Sequence, residues 1–319
     1  MQLKASAPGS LMLLGEYAVL YGKPALVVAV NKRITVLLTP RTDSQIEIES
    51  SALGSYTTQL DRLIIEPPFQ FVLGAVKYYH AKLQTGCHIK IISDFSDKVG
   101  LGSSAAVTVA TLAALMMWLD TTVSPLTLMR QGRSVVRHIQ NVGSGADIAA
   151  SVYGGMVSYQ THPLHAEKIS HVHPITVLYA GFKTLTTEVI SHVEHRFLPY
   201  PELFRDITHS IGHCAAHGIQ CARHEEWKQL GEIMTIQQGL MESLGVSTPL
   251  LDEMIADLRK IPQIVGVKIS GSGLGDCVIG LGQLPSDYTY SSQYDDEAHR
   301  LVQRIPLEMS LEGVQCEKI

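Results

Sequence analysis

Residues 105–119, A-A-V-T-V-A-T-L-A-A-L-M-M-W-L, form the longest apolar run of the chain and contain no charged residue. The run is too short to span a bilayer and is interrupted by threonine, so it predicts a helix that is buried on most sides. A chain of 319 residues can bury a core large enough for such a helix, and its length favours two domains.

The buried helix is preceded by a glycine and serine turn, G-L-G-S-S, at residues 100–104. A turn of this kind leaves several backbone N–H groups unpaired and directed at one point, together with the positive end of the helix dipole. Phosphate is the usual ligand of such a site. The local sequence leaves open a second interpretation, an ordinary loop in which Ser103 or Ser104 caps the helix.

The composition excludes several classes of partner. The 25 Lys and Arg residues are outnumbered by 30 Asp and Glu residues, which disfavours nucleic acid and an anionic membrane as partners. Five scattered cysteines without a CxxC pair are typical of reduced thiols in the cytoplasm. The apolar run 11–14 ends at Gly15 and Glu16, so no secretory signal is expected. We expect a cytoplasmic protein with a small-molecule substrate; its oligomeric state stays open, with a homodimer as one option.

The order of the predicted elements indicates an α+β fold. Strands are predicted at 3–7, 25–30, 34–38, 46–49, 87–92, 156–160 and 176–179. Helices are predicted at 69–84, 105–119, 125–140, 186–196, 202–245 with a break near His224, 249–259 and 295–304. We place a domain boundary after residue 165, which gives domains of 1–165 and 166–319.

Two further glycine turns occur, G-S-G-A-D at 143–147 and G-S-G-L-G at 271–275. The chain has no GxxxxGK[ST] loop, and it has no GxGxxG between a strand and a long helix. A phosphate site in this chain is therefore of another kind.

Three stretches together resemble the GHMP small-molecule kinases. The first motif of that superfamily is similar to A-P-G-S-L-M-L-L-G-E-Y-A-V-L-Y-G-K-P-A at 7–25. The second is similar to V-G-L-G-S-S-A-A-V at 99–107, and the third to K-I-S-G-S-G-L-G-D-C at 268–277. The three stretches occur in the right order across nearly the whole chain, which makes the resemblance specific.

The resemblance implies a fold and a nucleotide site. The N-terminal domain would be like domain 2 of ribosomal protein S5, and the C-terminal domain would be ferredoxin-like. ATP would lie with its phosphates over the second motif, with a small alcohol in the cleft between the domains. The residues implied in ATP binding are Gly100, Leu101, Gly102, Ser103, Ser104, Ala105, Ala106, Gly271, Ser272 and Gly273. Ser104 is also implied as a ligand of Mg²⁺, a hard ion that prefers oxygen.

Asp147, in the second glycine turn, matches the family position of the catalytic carboxylate, which would orient or accept the proton of the substrate hydroxyl. A carboxylate at the start of a helix is also favoured by the helix dipole, so a capping role is the alternative. Mevalonate and phosphomevalonate kinases usually carry lysine at the position of Ser10, which we include in the catalytic site. Mevalonate kinases also tend to carry a magnesium-binding glutamate where this chain has Val136.

The absent lysine removes a positive charge, so either another cation substitutes for it or catalysis is weak. The available cations are Lys4, Lys23, Lys98, Lys183 and Lys268. The sequence does not choose among them.

The resemblance implies ATP-dependent phosphorylation of the primary hydroxyl of mevalonate in isoprenoid synthesis. Y-A-V-L-Y-G-K-P-A-L at 17–26 resembles mevalonate kinases, whereas the G-D-C ending of the third motif resembles phosphomevalonate kinases. A phosphorylated acceptor would require additional cations, and position 10 has lost one, so we favour mevalonate. The alternatives are 5-phosphomevalonate as acceptor and a catalytically inactive member that binds a nucleotide or metabolite. Glu16, Lys183, Thr186 and Thr187 are the implied substrate contacts.

Overall fold

A computed structural model of the protein describes residues 1–96, 99–290 and 301–319. The strands are β1 (Leu3–Leu14), β2 (Ala25–Pro40), β3 (Gln45–Ser50), β4 (Gly54–Gln59), β5 (Cys87–Ser93), β6 (Met156–Thr161), β7 (Leu164–Ile169), β8 (Ile175–Tyr179), β9 (Gly266–Ser270), β10 (Cys277–Leu281), β11 (Gln303–Arg304) and β12 (Gln315–Lys318). The α-helices are α1 (Gln70–Tyr79), α2 (Ser103–Trp118), α3 (Pro125–Gln140), α4 (Ala146–Tyr153), α5 (Thr186–Phe197), α6 (Pro201–Arg223), α7 (Trp227–Leu244) and α8 (Pro249–Leu258).

The first sheet is organised around the long strand β2. Its strand order is β12-β1-β2-β5-β3-β4, and β6 also pairs with β2 and continues to β7. Residues 34–40 of β2 pair with β5, whereas residues 25–28 pair with β6. Helix α2 packs against β1, β2 and the helices α1, α3 and α4. The helix that the apolar run predicted is therefore confirmed, and its burial explains why the run carries no charge.

The second sheet has the strand order β11-β8-β10-β9 and is antiparallel. Helices α7 and α8 pack against β9, and α6 packs against α7 and β2. An apolar core joins the sheets, because Leu11 and Val28 of the first sheet belong to the same buried cluster as Val177 and Ile279 of the second. The α+β prediction is confirmed, and this shared core brings the third glycine turn close to the first motif.

Several predicted boundaries differ from the structure. Strand β1 continues through Pro8 to Leu14. Proline cannot donate a hydrogen bond to a neighbouring strand, and the shift in register between Pro8 and Ser10 accommodates Pro8 in the strand. The break predicted near His224 is confirmed, because α6 ends at Arg223, α7 begins at Trp227 and Glu225 between them has a positive φ of 59°. Helix α1 ends at Tyr79, and residues 303–304 form a strand, while residues 295–300 of the predicted last helix lie outside the described residues.

The domain boundary after residue 165 stays a prediction, and the strand pairing near it can be described. Strand β7 spans residues 164–169 and pairs with β6 in the first sheet. Strand β12, at the C-terminal end of the sequence, pairs with β1 in the same sheet. The division into 1–165 and 166–319 therefore cuts through one strand and separates another from its sheet. None of the helices in the described ranges is both long enough and apolar enough to cross a membrane.

Candidate active site

Helix α2 begins at the second motif without a side-chain cap. Its N-cap residue is Gly102, with a φ of +64°, and no side chain caps the helix. The first bond within the helix joins the Ala106 N–H to the Gly102 carbonyl at 3.0 Å, so the preceding N–H groups have no partner inside the helix. Ser103 and Ser104 line a cavity of about 1030 Å³. The interpretation of a serine-capped loop is therefore wrong, and binding of an anion at this helix start stays a prediction.

Strand β1 places Ser10 against this helix start. The Ser10 N–H donates a hydrogen bond to the Leu101 carbonyl at 3.0 Å, and a Cβ on Gly102 would overlap the Ser10 hydroxyl. That hydroxyl in turn donates a hydrogen bond of 2.8 Å to Oδ1 of Asp147. The structure therefore joins the first motif, the second motif and Asp147 within one hydrogen-bonded unit.

Asp147 lies in the first turn of α4, where the N-cap residue is Gly145 with a φ of +91°. The bond from Ser10 joins the carboxylate to β1, so its hydrogen bond links two elements instead of capping its own helix. Burial raises the pKa of Asp147, the Ser10 hydrogen bond and the Lys183 charge lower it, and the Glu16 charge raises it. A raised pKa brings a carboxylate closer to the range in which it acts as a proton acceptor.

The third glycine turn contributes a carboxylate that the sequence analysis did not assign. Asp276 follows this turn with a φ of +73°. Its carboxylate accepts the Gly100 N–H and lies so close that a Cβ on Gly100 would overlap it. Burial raises the pKa of Asp276, and the Lys183 charge lowers it. The G-D-C ending of the third motif is the sequence signal for this residue.

The predicted nucleotide contacts Gly271, Ser272 and Gly273 lie beside the first motif. The Tyr17 hydroxyl donates to the Ser272 carbonyl at 2.5 Å, and the Gly271 N–H donates to Glu16 at 3.4 Å. A Cβ on Gly271 would meet no atom within 4 Å, so its Cα faces open space. The structure fixes the turn across the two sheets, and its contact with phosphate stays a prediction.

Glu16 takes part in a buried ion pair. Lys268 donates to Oε1 of Glu16, and Gln237 donates to Oε2 at 2.5 Å. The two charged side chains are 0% and 3% exposed. Burial lowers the pKa of Lys268, while the Glu16 charge opposes that change. Both carboxylate oxygens thus have protein partners, so the structure gives Glu16 a role in joining the first motif to the second sheet, and its predicted contact with substrate stays untested.

The remaining predicted substrate contacts line the same cavity. Lys183, Thr186 and Thr187 line it together with Ser103 and Ser104. Helix α5 begins at Thr186 with no side-chain cap, so its first N–H groups are also available to an anion. The cavity therefore has two uncapped helix starts, one in each half of the protein.

The donor chemistry of this site suits Mg²⁺ better than a softer ion. Val136, which stands where mevalonate kinases tend to carry a magnesium-binding glutamate, is buried and has no metal-binding group. In the ranges 1–96, 99–290 and 301–319, no group of three or more His, Cys, Asp or Glu residues is arranged to hold a metal. The Ser104 hydroxyl that lines the cavity and the oxygens of a bound triphosphate are hard donors of the kind that Mg²⁺ prefers.

A helix start without a side-chain cap, close to a buried carboxylate, is an arrangement that suits the transfer of phosphate to a small alcohol. Together with the two-sheet fold, it defines a small-molecule kinase. Residues 70–155 match the family described as GHMP kinases N terminal domain, and residues 219–309 match GHMP kinases C terminal. The chain belongs to the GHMP kinase family, whose members are ATP-dependent phosphotransferases.

Individual relatives agree with this assignment. A mevalonate kinase from Pyrococcus abyssi is 31% identical over 296 residues, which are 87% of this chain and 88% of that protein. A Lin0012 protein from Listeria innocua has a TM-score of 0.83 at 22% identity, with 100% of both chains covered. The mevalonate kinase of Methanococcus jannaschii has a TM-score of 0.76 at 23% identity, with 96% of this chain and 98% of that chain covered. These two solved structures show the shared fold.

Proposed function

We propose that this protein transfers the γ-phosphoryl group of ATP to the primary hydroxyl of mevalonate and forms 5-phosphomevalonate. The structural observation that carries the proposal is the hydrogen bond from Ser10 to Asp147 beside the uncapped start of α2. The choice of mevalonate is supported by the archaeal mevalonate kinases, which match most of the chain at about 30% identity. Position 10 is serine instead of lysine, so this position offers no cation to a phosphate group of the acceptor. This favours an acceptor without phosphate.

In the proposed complex, the triphosphate lies over residues 100–106. The free N–H groups at the start of α2 bind its oxygens, and the helix dipole favours its charge. The residues 271–273 approach it from the second sheet. Mg²⁺ held by Ser104 and the phosphates would neutralise part of the phosphate charge. Binding therefore places the γ-phosphorus close to the carboxylate that Ser10 positions.

The reaction requires one proton acceptor. The hydroxyl oxygen of mevalonate attacks the γ-phosphorus, the bond from this phosphorus to the β,γ-bridging oxygen breaks, and ADP leaves. Asp147 orients the hydroxyl and accepts its proton. The Ser10 hydroxyl donates to the same carboxylate, so it keeps one oxygen fixed while the other faces the acceptor. The start of α5, with Thr186 and Thr187, would bind the carboxylate of mevalonate.

The acceptor is tested by measuring ADP release from the purified protein with ATP, Mg²⁺ and one of four alcohols. We expect turnover with mevalonate and none with galactose or homoserine. Turnover with 5-phosphomevalonate alone would move the protein to the phosphomevalonate kinase branch. Tight ATP binding without turnover of any of the four would indicate a nucleotide-binding member without kinase activity.

The role of Asp147 is tested with Asp147→Asn, which keeps the shape of the side chain and removes the proton acceptor. We expect kcat to fall by about 10²–10⁴-fold, while the affinity for an ATP analogue changes little. Asp206→Asn is the matched control, because Asp206 is an exposed residue of α6. An Asp147→Asn protein with normal kcat would refute the assigned role.

A further inference from the structure

The described part of the site has an excess of negative charge. Asp276 accepts the Gly100 N–H, and Asp147 accepts from Ser10, whose backbone is bonded to Leu101 in the same turn. Phosphoryl transfer also develops negative charge on the phosphoryl oxygens and on the leaving group, so a positive group close to them is needed. The question is which side chain of this protein provides it.

Three of the candidate lysines are engaged elsewhere. Lys268 is fully buried and paired with Glu16. Lys4 forms an exposed ion pair with Glu317 on β12. The stem of Lys23 lies against α6, where a Cβ on Gly212 would contact it at 2.9 Å. Lys98 lies outside the described residues.

Lys183 is held at the cavity by the segment that contains it. The Ala180 N–H donates to the Asp276 carbonyl at 2.8 Å, and the Asp276 N–H donates to the Phe182 carbonyl at 2.9 Å. On the other side of Lys183, the Thr184 hydroxyl donates to the Leu274 carbonyl at 2.6 Å. The backbone on both sides of Lys183 is therefore fixed to the third glycine turn, and the turn itself is fixed over Gly100 by the Asp276 carboxylate.

The Lys183 side chain is available for a ligand. It is exposed and lines the same cavity as Ser103 and Ser104. It forms no ion pair with any residue that the structure describes. Its positive charge nevertheless acts on both carboxylates: it lowers the pKa of Asp147 and the pKa of Asp276. A lysine with a fixed backbone and a flexible, unpaired ammonium group can follow the phosphoryl group as it moves.

We propose that Lys183 is the catalytic cation of this kinase: its ammonium group contacts the transferred phosphoryl group next to Asp147. This proposal rests on the proposed function and assigns a further residue to the same site. It also separates Lys183 from Thr186 and Thr187, because those threonines lie at the start of α5 and would bind the carboxylate of the acceptor. Lys183 follows strand β8 of the second sheet, whereas the proton acceptor Asp147 lies on α4, which packs against the first sheet. The proposed site therefore takes one group from each half of the protein.

The two possible roles of Lys183 give different kinetics. A group that stabilises the transition state changes kcat, whereas an anchor for the acceptor carboxylate changes the KM of the acceptor. We therefore propose to measure kcat, both KM values and the pH profile for Lys183→Met, Lys183→Arg and Lys98→Met. Lys228→Met is the matched control, since Lys228 is an exposed lysine on α7.

For Lys183→Met we expect kcat to fall by about 10²–10³-fold, with the KM for mevalonate within about threefold of the wild-type value. Lys183→Arg should recover part of kcat because it restores the charge. The acidic limb of the pH profile should move to higher pH in Lys183→Met. Without Lys183, the charged groups that act on Asp147 are Glu16 and Asp276. Both are acidic, so neither stabilises the ionised form of Asp147.

Binding provides a readout that does not depend on the acceptor. Lys183→Met should weaken the binding of an ATP analogue with a non-transferable γ-phosphate more than the binding of ADP, because only the analogue carries the γ-phosphate. If the wild-type protein phosphorylates a different alcohol, the proposed acceptor is wrong, and the same comparisons with that alcohol still test Lys183.

Four results would overturn the role of Lys183. The first is a kcat of Lys183→Met within about twofold of the wild-type value. The second is a loss confined to the KM of the acceptor, which would make Lys183 an anchor for its carboxylate. The third is equal weakening of the binding of the ATP analogue and of ADP. A loss of kcat in Lys98→Met that exceeds the loss in Lys183→Met would likewise overturn it.

Discussion

Replacing Lys268 by methionine should destabilise the whole protein, although this residue lies outside the proposed chemistry. Lys268 is 0% exposed and Glu16 is 3% exposed, so the ion pair has almost no contact with water. Methionine has a similar length and fills the same space, but it leaves the Glu16 charge buried with only Gln237 and the Gly271 N–H as partners. Breaking a buried pair in this way costs about 3–5 kcal/mol.

The expected thermal shift follows from the length of the chain. An entropy of unfolding of about 2.1 cal/mol/K per residue gives about 0.7 kcal/mol/K for a chain of 319 residues. A loss of about 3–5 kcal/mol then lowers Tm by about 4–8 °C. The exposed pair of Lys4 and Glu317 provides the matched comparison, because Lys4→Met should cost at most about 1 kcal/mol.

The assay is thermal unfolding followed by circular dichroism for the wild-type protein, Lys268→Met, Lys4→Met and the double variant Glu16→Gln/Lys268→Met. The double variant removes both charges and keeps hydrogen-bonding groups at position 16, so it should recover much of the loss. A Lys268→Met protein that melts within about 1 °C of the wild type would refute the argument from burial. So would a double variant that is less stable than the single variant.

Two further changes test the proposed site. Ser10→Ala removes the hydrogen bond that lowers the pKa of Asp147, so this pKa rises further and the acidic limb of kcat/KM should move to higher pH; an unchanged limb would contradict the proposal. Gly102→Ala places a Cβ on a residue with a φ of +64° and against the Ser10 hydroxyl, so binding of an ATP analogue should weaken by about tenfold or more. Gly239→Ala is the control for this second change, because a Cβ there meets no atom within 4 Å, and equal effects in calorimetry would count against the helix start as the nucleotide site.

The sequence predicted the main elements because each depends on local chemistry. The apolar side chains of residues 105–119 are removed from water only when the segment is buried, so the position of α2 follows from the sequence. Proline at position 125, after Ser124, fixed the start of α3, and the structure shows the Ser124 side chain accepting from the Thr127 N–H. The pairing of β7 with β6 and of β12 with β1 does not follow from local chemistry in this way, because each pairing depends on the position of the partner strand.

The candidate site divides in the same way. Glycine turns and Asp147 were visible in the sequence because each belongs to a contiguous motif. Glu16 was visible too, but the sequence could not show that Lys268, 252 positions away, is its partner. Asp276 was overlooked because its position over Gly100 depends on how the second sheet is placed beside the first. Long-range contacts of this kind leave no periodic pattern in the sequence.

By itself, the sequence determined that α2 is buried, that a glycine turn opens it, and that the chain resembles a family of small-molecule kinases. Each of these depends on residues that are neighbours along the chain, whose preferences act locally. Only the tertiary structure decided that Ser10 bonds to Asp147 and that Lys268 forms an ion pair with Glu16. It also decided that Lys183 lines the cavity without an ion pair to any residue that the structure describes. The physical reason is that the charge around a carboxylate depends on distances through space, which packing of the two sheets sets.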